Sequence, residues 1–128
     1  MEYIPVRLQV PLYGMTVRTP VDGRTTAVLE NLTDDGFSEE RLLSVLRAIR
    51  EAGIRNVVVD IPKLPKGIPP SLLALPVLEG LTAGLGLNVR YIVQNPNDIG
   101  PGDDSFRRWV SPRIHGTLDE AVYKFILN

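Results

Sequence analysis

The run Asn56-Val57-Val58-Val59-Asp60-Ile61 constrains the fold more than any other segment of this chain. Its β-branched residues favour extended backbone. Apolar side chains at successive positions point to opposite faces of a sheet, so this strand must be covered on both sides. Such a pattern belongs to a central parallel strand of a layered α/β domain. A chain of 128 residues is long enough to bury it within one domain, expected to span residues 1–128.

Other segments fill in an α/β order. Val6, Leu8, Val10 and Leu12 alternate with polar positions, which predicts a half-buried strand, with Pro11 suited to its end or to an edge. Two further strand pieces, residues 15–18 and 25–29, flank the turn Pro20-Val21-Asp22-Gly23. A helix is expected from the Ser38 cap to about Ala52, with Glu39 and Glu40 in its first turn, Phe37 and Leu42 as a staple, Leu42, Leu46 and Ile49 as its apolar stripe, and Gly53 as its stop. The apolar stretch from Ser71 to Ala83 reads as a helix begun or kinked at Pro76 and ended by Gly84 and Gly86. Residues 88–94 read as a second parallel strand, Asp103 or Asp104 as the cap of a short helix through Val110, and Arg113-Ile114-His115 as a short last strand. Thr117-Leu118-Asp119-Glu120 is a capping box ahead of Ala121, Val122, Phe125 and Ile126, which recur on one helical face.

Bulk properties narrow the function classes. A net charge of −1 and a pI near 5.8 give no electrostatic footprint for nucleic acid. The absence of cysteine removes disulfides and thiolate sites and fits a reducing compartment. Residues 1–11 lack the pattern of a signal peptide and no run approaches a spanning length, so membrane insertion is not expected and the cytoplasm is the expected address.

The element order resembles the STAS domain, the fold shared by anti-sigma factor antagonists and the cytoplasmic tails of sulphate transporters. The likeness runs from Val6 to Leu127. It is carried by Val57-Val58-Val59-Asp60 with its following loop and helix, and by the ending Phe106-x-x-Trp109 through Ile114-His115-Gly116-Thr117-Leu118-Asp119-Glu120-Ala121. The resemblance implies a mixed β-sheet with antiparallel N-terminal strands and about four helices. It also implies a non-enzymatic module that binds a regulatory protein, such as a GHKL-type kinase or an anti-sigma factor, or a second copy of itself. In the antagonist branch the loop after the central strand carries an Asp-Ser-[Ser/Thr]-Gly phosphorylation motif, whereas this chain reads Gly67-Ile68-Pro69-Pro70-Ser71-Leu72. Only Ser71 offers a hydroxyl, so the usual phosphorylation switch is not expected in its ordinary form.

The proline-rich loop from Pro62 to Ser71 is the expected partner-binding site, with Lys63, Lys66, Pro69, Pro70 and Ser71 as its contact residues. Prolines there restrict the free loop and lower the entropy cost of recognition. Ser71 at a helix start is a potential phosphate acceptor and, on ordinary grounds, an N-cap. Asp60 resembles a receiver's phospho-acceptor without its companion acids and lysine, and bonding its own loop is the plainer role. His115, the sole histidine, has Ser111 nearby in sequence, but nothing supplies a nucleophile elbow or an oxyanion loop and one histidine makes no metal site, so it reads as a capping or surface residue. Asp34-Asp35 and Asp103-Asp104 lack calcium-loop spacing, and Gly80, Gly84 and Gly86 do not sit between a strand and a helix as a dinucleotide fingerprint would. No cofactor is implied. The competing readings are a flavodoxin-like small-molecule binder or enzyme using clefts beside Asp60 and Asn95, and a homo-oligomeric structural subunit packed through residues 72–85.

Overall fold

The computed structural model describes residues 2–23, 25–31, 39–60, 79–92 and 111–126. Six strands, β1 (Tyr3–Pro5), β2 (Thr16–Pro20), β3 (Thr26–Glu30), β4 (Asn56–Asp60), β5 (Asn88–Ile92) and β6 (Ile114–His115), form one sheet whose spatial order follows the chain. The β1/β2 and β2/β3 pairs are antiparallel, and β3/β4, β4/β5 and β5/β6 are parallel. The chain is therefore α/β with a mixed sheet. Three α-helical segments occur among the described residues, α1 (Glu39–Glu51), α2 (residues 79–85) and α3 (Leu118–Ile126), against about four expected. The short helix expected before Val110 lies outside the described residues.

The triple valine behaves as its pattern requires. Val57 and Val59 pack with Ala27, Leu29, Val89 and Tyr91 against the α1 stripe of Leu42, Val45, Leu46 and Ile49, and Leu81 and Leu85 of α2 join the same cluster. Val58 points the other way, with Val28 and Ile92, onto Ala121 and Val122 of α3. Each fully buried aliphatic side chain here stabilises the fold by about 1.5–3 kcal/mol relative to exposure. Thus α1 and α2 share one face of the sheet and α3 covers the other.

Helices α1 and α2 end in the same way. Gly53 (φ 88°) and Gly86 (φ 69°) occupy the left-handed region that ordinary residues avoid. Gly53 N–H donates to the Arg50 carbonyl and Ile54 N–H to the Ile49 carbonyl, and Gly86 and Leu87 make the matching bonds to Ala83 and Thr82. These are paired Schellman closures, each followed by a buried aliphatic residue and then by a strand. In α3, Glu120 N–H donates to Thr117 Oγ1 (3.3 Å), so the expected cap is present.

The N-terminal expectation needs correction. Residues 6–12 do not form a strand; β1 precedes them at Tyr3–Pro5. Val6 adds one ladder bond to the Val17 carbonyl, after which Val6, Leu8 and Leu12 pack against the margin of the main core. Their alternation reflects burial of one side of an irregular segment. Ladder geometry also explains Pro5: the Val6–Val17 and Glu2–Val21 bonds turn the backbone of Tyr3 and Pro5 to the free edge, where a missing N–H costs no pairing.

Candidate functional site

Asp60 stands at the carboxyl end of β4, where open α/β sheets collect their ligands and partners. The register Leu29↔Val59 sets Glu30 beside it on the neighbouring strand. Val28 and Val58 lie in the cluster under α3, so two residues further along both carboxylates project on that same face. Arg18 of β2 forks onto Glu30, Nε to Oε1 at 2.6 Å and Nη2 to Oε2 at 3.0 Å, and its guanidinium lies 5.0 Å from the Tyr3 ring centre. Burial, and then repulsion from Glu30, raise the Asp60 pKa above the usual carboxylate value. Tyr3 closes this side of the face by donating its hydroxyl to Asp119 Oδ1 of α3 (3.2 Å). Burial and that bond push its phenol up to about 12.

The sequence reading expected a capping or surface residue at His115, and the side chain is buried. A guanidinium only donates, so Arg90 Nη1, 3.0 Å from His115 Nε2, requires that nitrogen to accept; the proton of the neutral ring is therefore on Nδ1, facing Glu120 Oε1 at 3.2 Å. Glu120, the last residue of the capping box, thus serves the imidazole. On the opposite face Glu79 of α2 is buried and accepts from the Tyr91 hydroxyl (2.8 Å) and from Arg113 Nη1 (3.1 and 3.0 Å). Burial and then Glu79 raise the Tyr91 phenol well above its ordinary range. These bonds join α2, β5 and the 3-10 turn Ser111–Arg113 that leads into β6.

The expected partner-binding residues Lys63, Lys66, Pro69, Pro70 and Ser71 lie outside the described residues, as do Asn95 and the acidic pairs at 34–35 and 103–104. Asp60 and His115 lie within them. The sheet does not bring these two together, since they sit two strands apart with β5 between. Sequence reasoning missed Glu30, Arg18, Arg90, Arg113 and Glu79. One signal was available for Glu79, a lone acid within an otherwise apolar helical stretch, and another for Arg90, a charge inside a strand otherwise read as buried. Among the described residues no group of three or more histidine and carboxylate side chains is placed to hold a metal ion, and no helix is long and apolar enough to cross a membrane. No family model, curated protein or solved structure matches this chain.

Proposed function

We propose that the chain is a STAS-like module that works by binding a regulatory protein, a kinase or anti-sigma factor type of partner, without catalysis of its own. The observation that carries this reading is the Glu30–Asp60 carboxylate pair at the point where the chain leaves β4 for the segment bearing Lys63, Lys66, Pro69, Pro70 and Ser71. Burial and then Glu30 disfavour the ionised form of Asp60. A group kept at that cost beside a proline-rich segment suits contact with a partner's cationic side chain. The antiparallel start and the sequential parallel strands are in keeping with the STAS-like reading. Self-association as a homodimer belongs to the same proposal, as does modification of Ser71 in place of the motif the chain lacks.

The test is affinity capture from the native host with the tagged chain, comparing wild type with Asp60→Asn, with the combined Lys66→Ala, Pro69→Ala, Pro70→Ala variant, and with Ser71→Glu. Loss of one regulatory partner from the first two variants supports the reading. Retention of every partner by both overturns the site. Weakening by Ser71→Glu in addition to the first two variants marks phosphorylation as the control.

A second reading, small-molecule binding or catalysis at Asp60, draws on the same raised carboxyl. The strictly sequential strand order weighs against its flavodoxin-like form, because such sheets bind ligands where strand order reverses and this order does not reverse.

A further inference from the structure

At the opposite end of the parallel strands β6 pairs only with Tyr91 and Ile92. Among the described residues, no strand pairs with that edge of the first half of β5. An open cleft of about 420 Å³ runs along it, lined by Asn56, Asn88, Val89, Arg90, Arg113 and Phe125 among others. Several of its polar groups are donors. Asn88 Nδ2 donates to Asn56 Oδ1 at 3.1 Å, which orients the two amides and leaves the Asn56 NH2 group directed elsewhere. Asn88 N–H bonds to the Arg55 carbonyl on the β4 side, so the ladder's alternation turns Val89 N–H toward the open edge.

Two guanidiniums complete the lining. Arg113 is held in place by Glu79. Arg90 lies 5.2 Å from the Phe125 ring centre and donates through Nη1 to His115 and to the Pro112 carbonyl, yet its Nε is buried and has no hydrogen-bond partner. Partial burial and the nearby Arg113 both disfavour the charged form of Arg90. Among the described residues, Glu79 and Glu120 are bonded to this group of side chains and are engaged with Arg113 and Tyr91 and with His115.

We propose that this cleft is a binding site for a small oxyanion, a carboxylate or phosphate group, held by Arg90 and Arg113 with Asn56 and the Val89 N–H, and distinct from the partner surface at the other end of the strands. Planar guanidiniums match the paired oxygens of such groups. An oxyanion would relieve Arg90, whose charged form partial burial and the nearby Arg113 both disfavour, whereas a neutral ligand would not.

The experiment is a titration of the 15N-labelled chain with inorganic phosphate, and separately with succinate, at constant ionic strength set by sodium chloride. The site predicts saturable shifts at Val89, Arg90 and the Asn56 side-chain amide, weakened at least about tenfold by Asn56→Asp. That substitution adds a negative charge at an exposed bond and should leave the fold intact, which the remaining amide spectrum reports. Arg90→Met, retaining the apolar stem over Phe125, should weaken binding likewise. Saturation by phosphate alone identifies a phosphate ligand, and by succinate alone a carboxylate. Shifts that fail to saturate at tens of millimolar, or that persist unchanged in Asn56→Asp, overturn the proposal.

Discussion

Asp60 and Tyr3 respond to pH in different windows. The Asp60 carboxyl has a folded-state pKa raised by burial and by Glu30. The native state therefore holds its proton more firmly than the unfolded chain, and stability falls as pH rises through the window just above the ordinary carboxylate pKa. Asp60→Asn should accordingly raise the thermal midpoint at neutral pH and leave it nearly unchanged well below the carboxylate range; equal midpoints at pH 7 would mean that Asp60 carries no such cost. For Tyr3 the phenol pKa is raised from 10.0 to about 12. Its contribution is complete below about 10 and is lost as pH climbs toward about 12. Tyr3→Phe should cost about 0.5 kcal/mol at neutral pH, as for an exposed hydrogen bond, and should remove part of the alkaline slope seen in denaturant midpoints between those values.

At the scale of elements, the matched ends of α1 and α2 make a quantitative case. An added Cβ at Gly53 or Gly86 meets nothing within 4 Å, so the penalty of alanine there is conformational alone. Gly53→Ala and Gly86→Ala should each lower stability by about 1 kcal/mol, read as a reduced urea midpoint with an unchanged slope. A midpoint that does not move would mean that the helix ends reorganise at no cost. Elements defined by local chemistry were the legible ones. β4 was readable from its β-branched run, α1 from its stripe and Gly53, and α3 from the Thr117 cap. The segment 6–12 misled because its alternation matches a strand while only Val6 continues the β1/β2 ladder. Asp60 was legible as a strand-end acid. Its neighbour Glu30 was not, because that adjacency follows from the β3/β4 register, and neither was the Glu79–Arg113 pair, whose members are 34 positions apart. Local sequence carries no direct mark of such long-range register.

Across the whole molecule, the two edges of the sheet differ. The β1 edge presents Pro5 outward, and an edge without that donor is a poor template for another strand. A homodimer, if formed, is thus expected through surfaces other than this edge. Pro5→Val restores the outward N–H and should increase self-association in sedimentation runs at rising concentration; a mass that stays monomeric throughout would place the protection elsewhere.

The other edge is a two-residue ladder. Beyond it, the ties from residues 111–126 to the other described residues include Arg113 to Glu79, Arg90 to His115 and Pro112, Tyr3 to Asp119, and the apolar contacts of α3. So short a backbone attachment makes this C-terminal unit the natural first step of opening on the way to global unfolding. Hydrogen exchange should record the difference, with amides of β6 and α3 trading deuterium before those of β3 and β4. Any ligand that clamps Arg90 to Arg113 should slow that trade at a distance from where it binds.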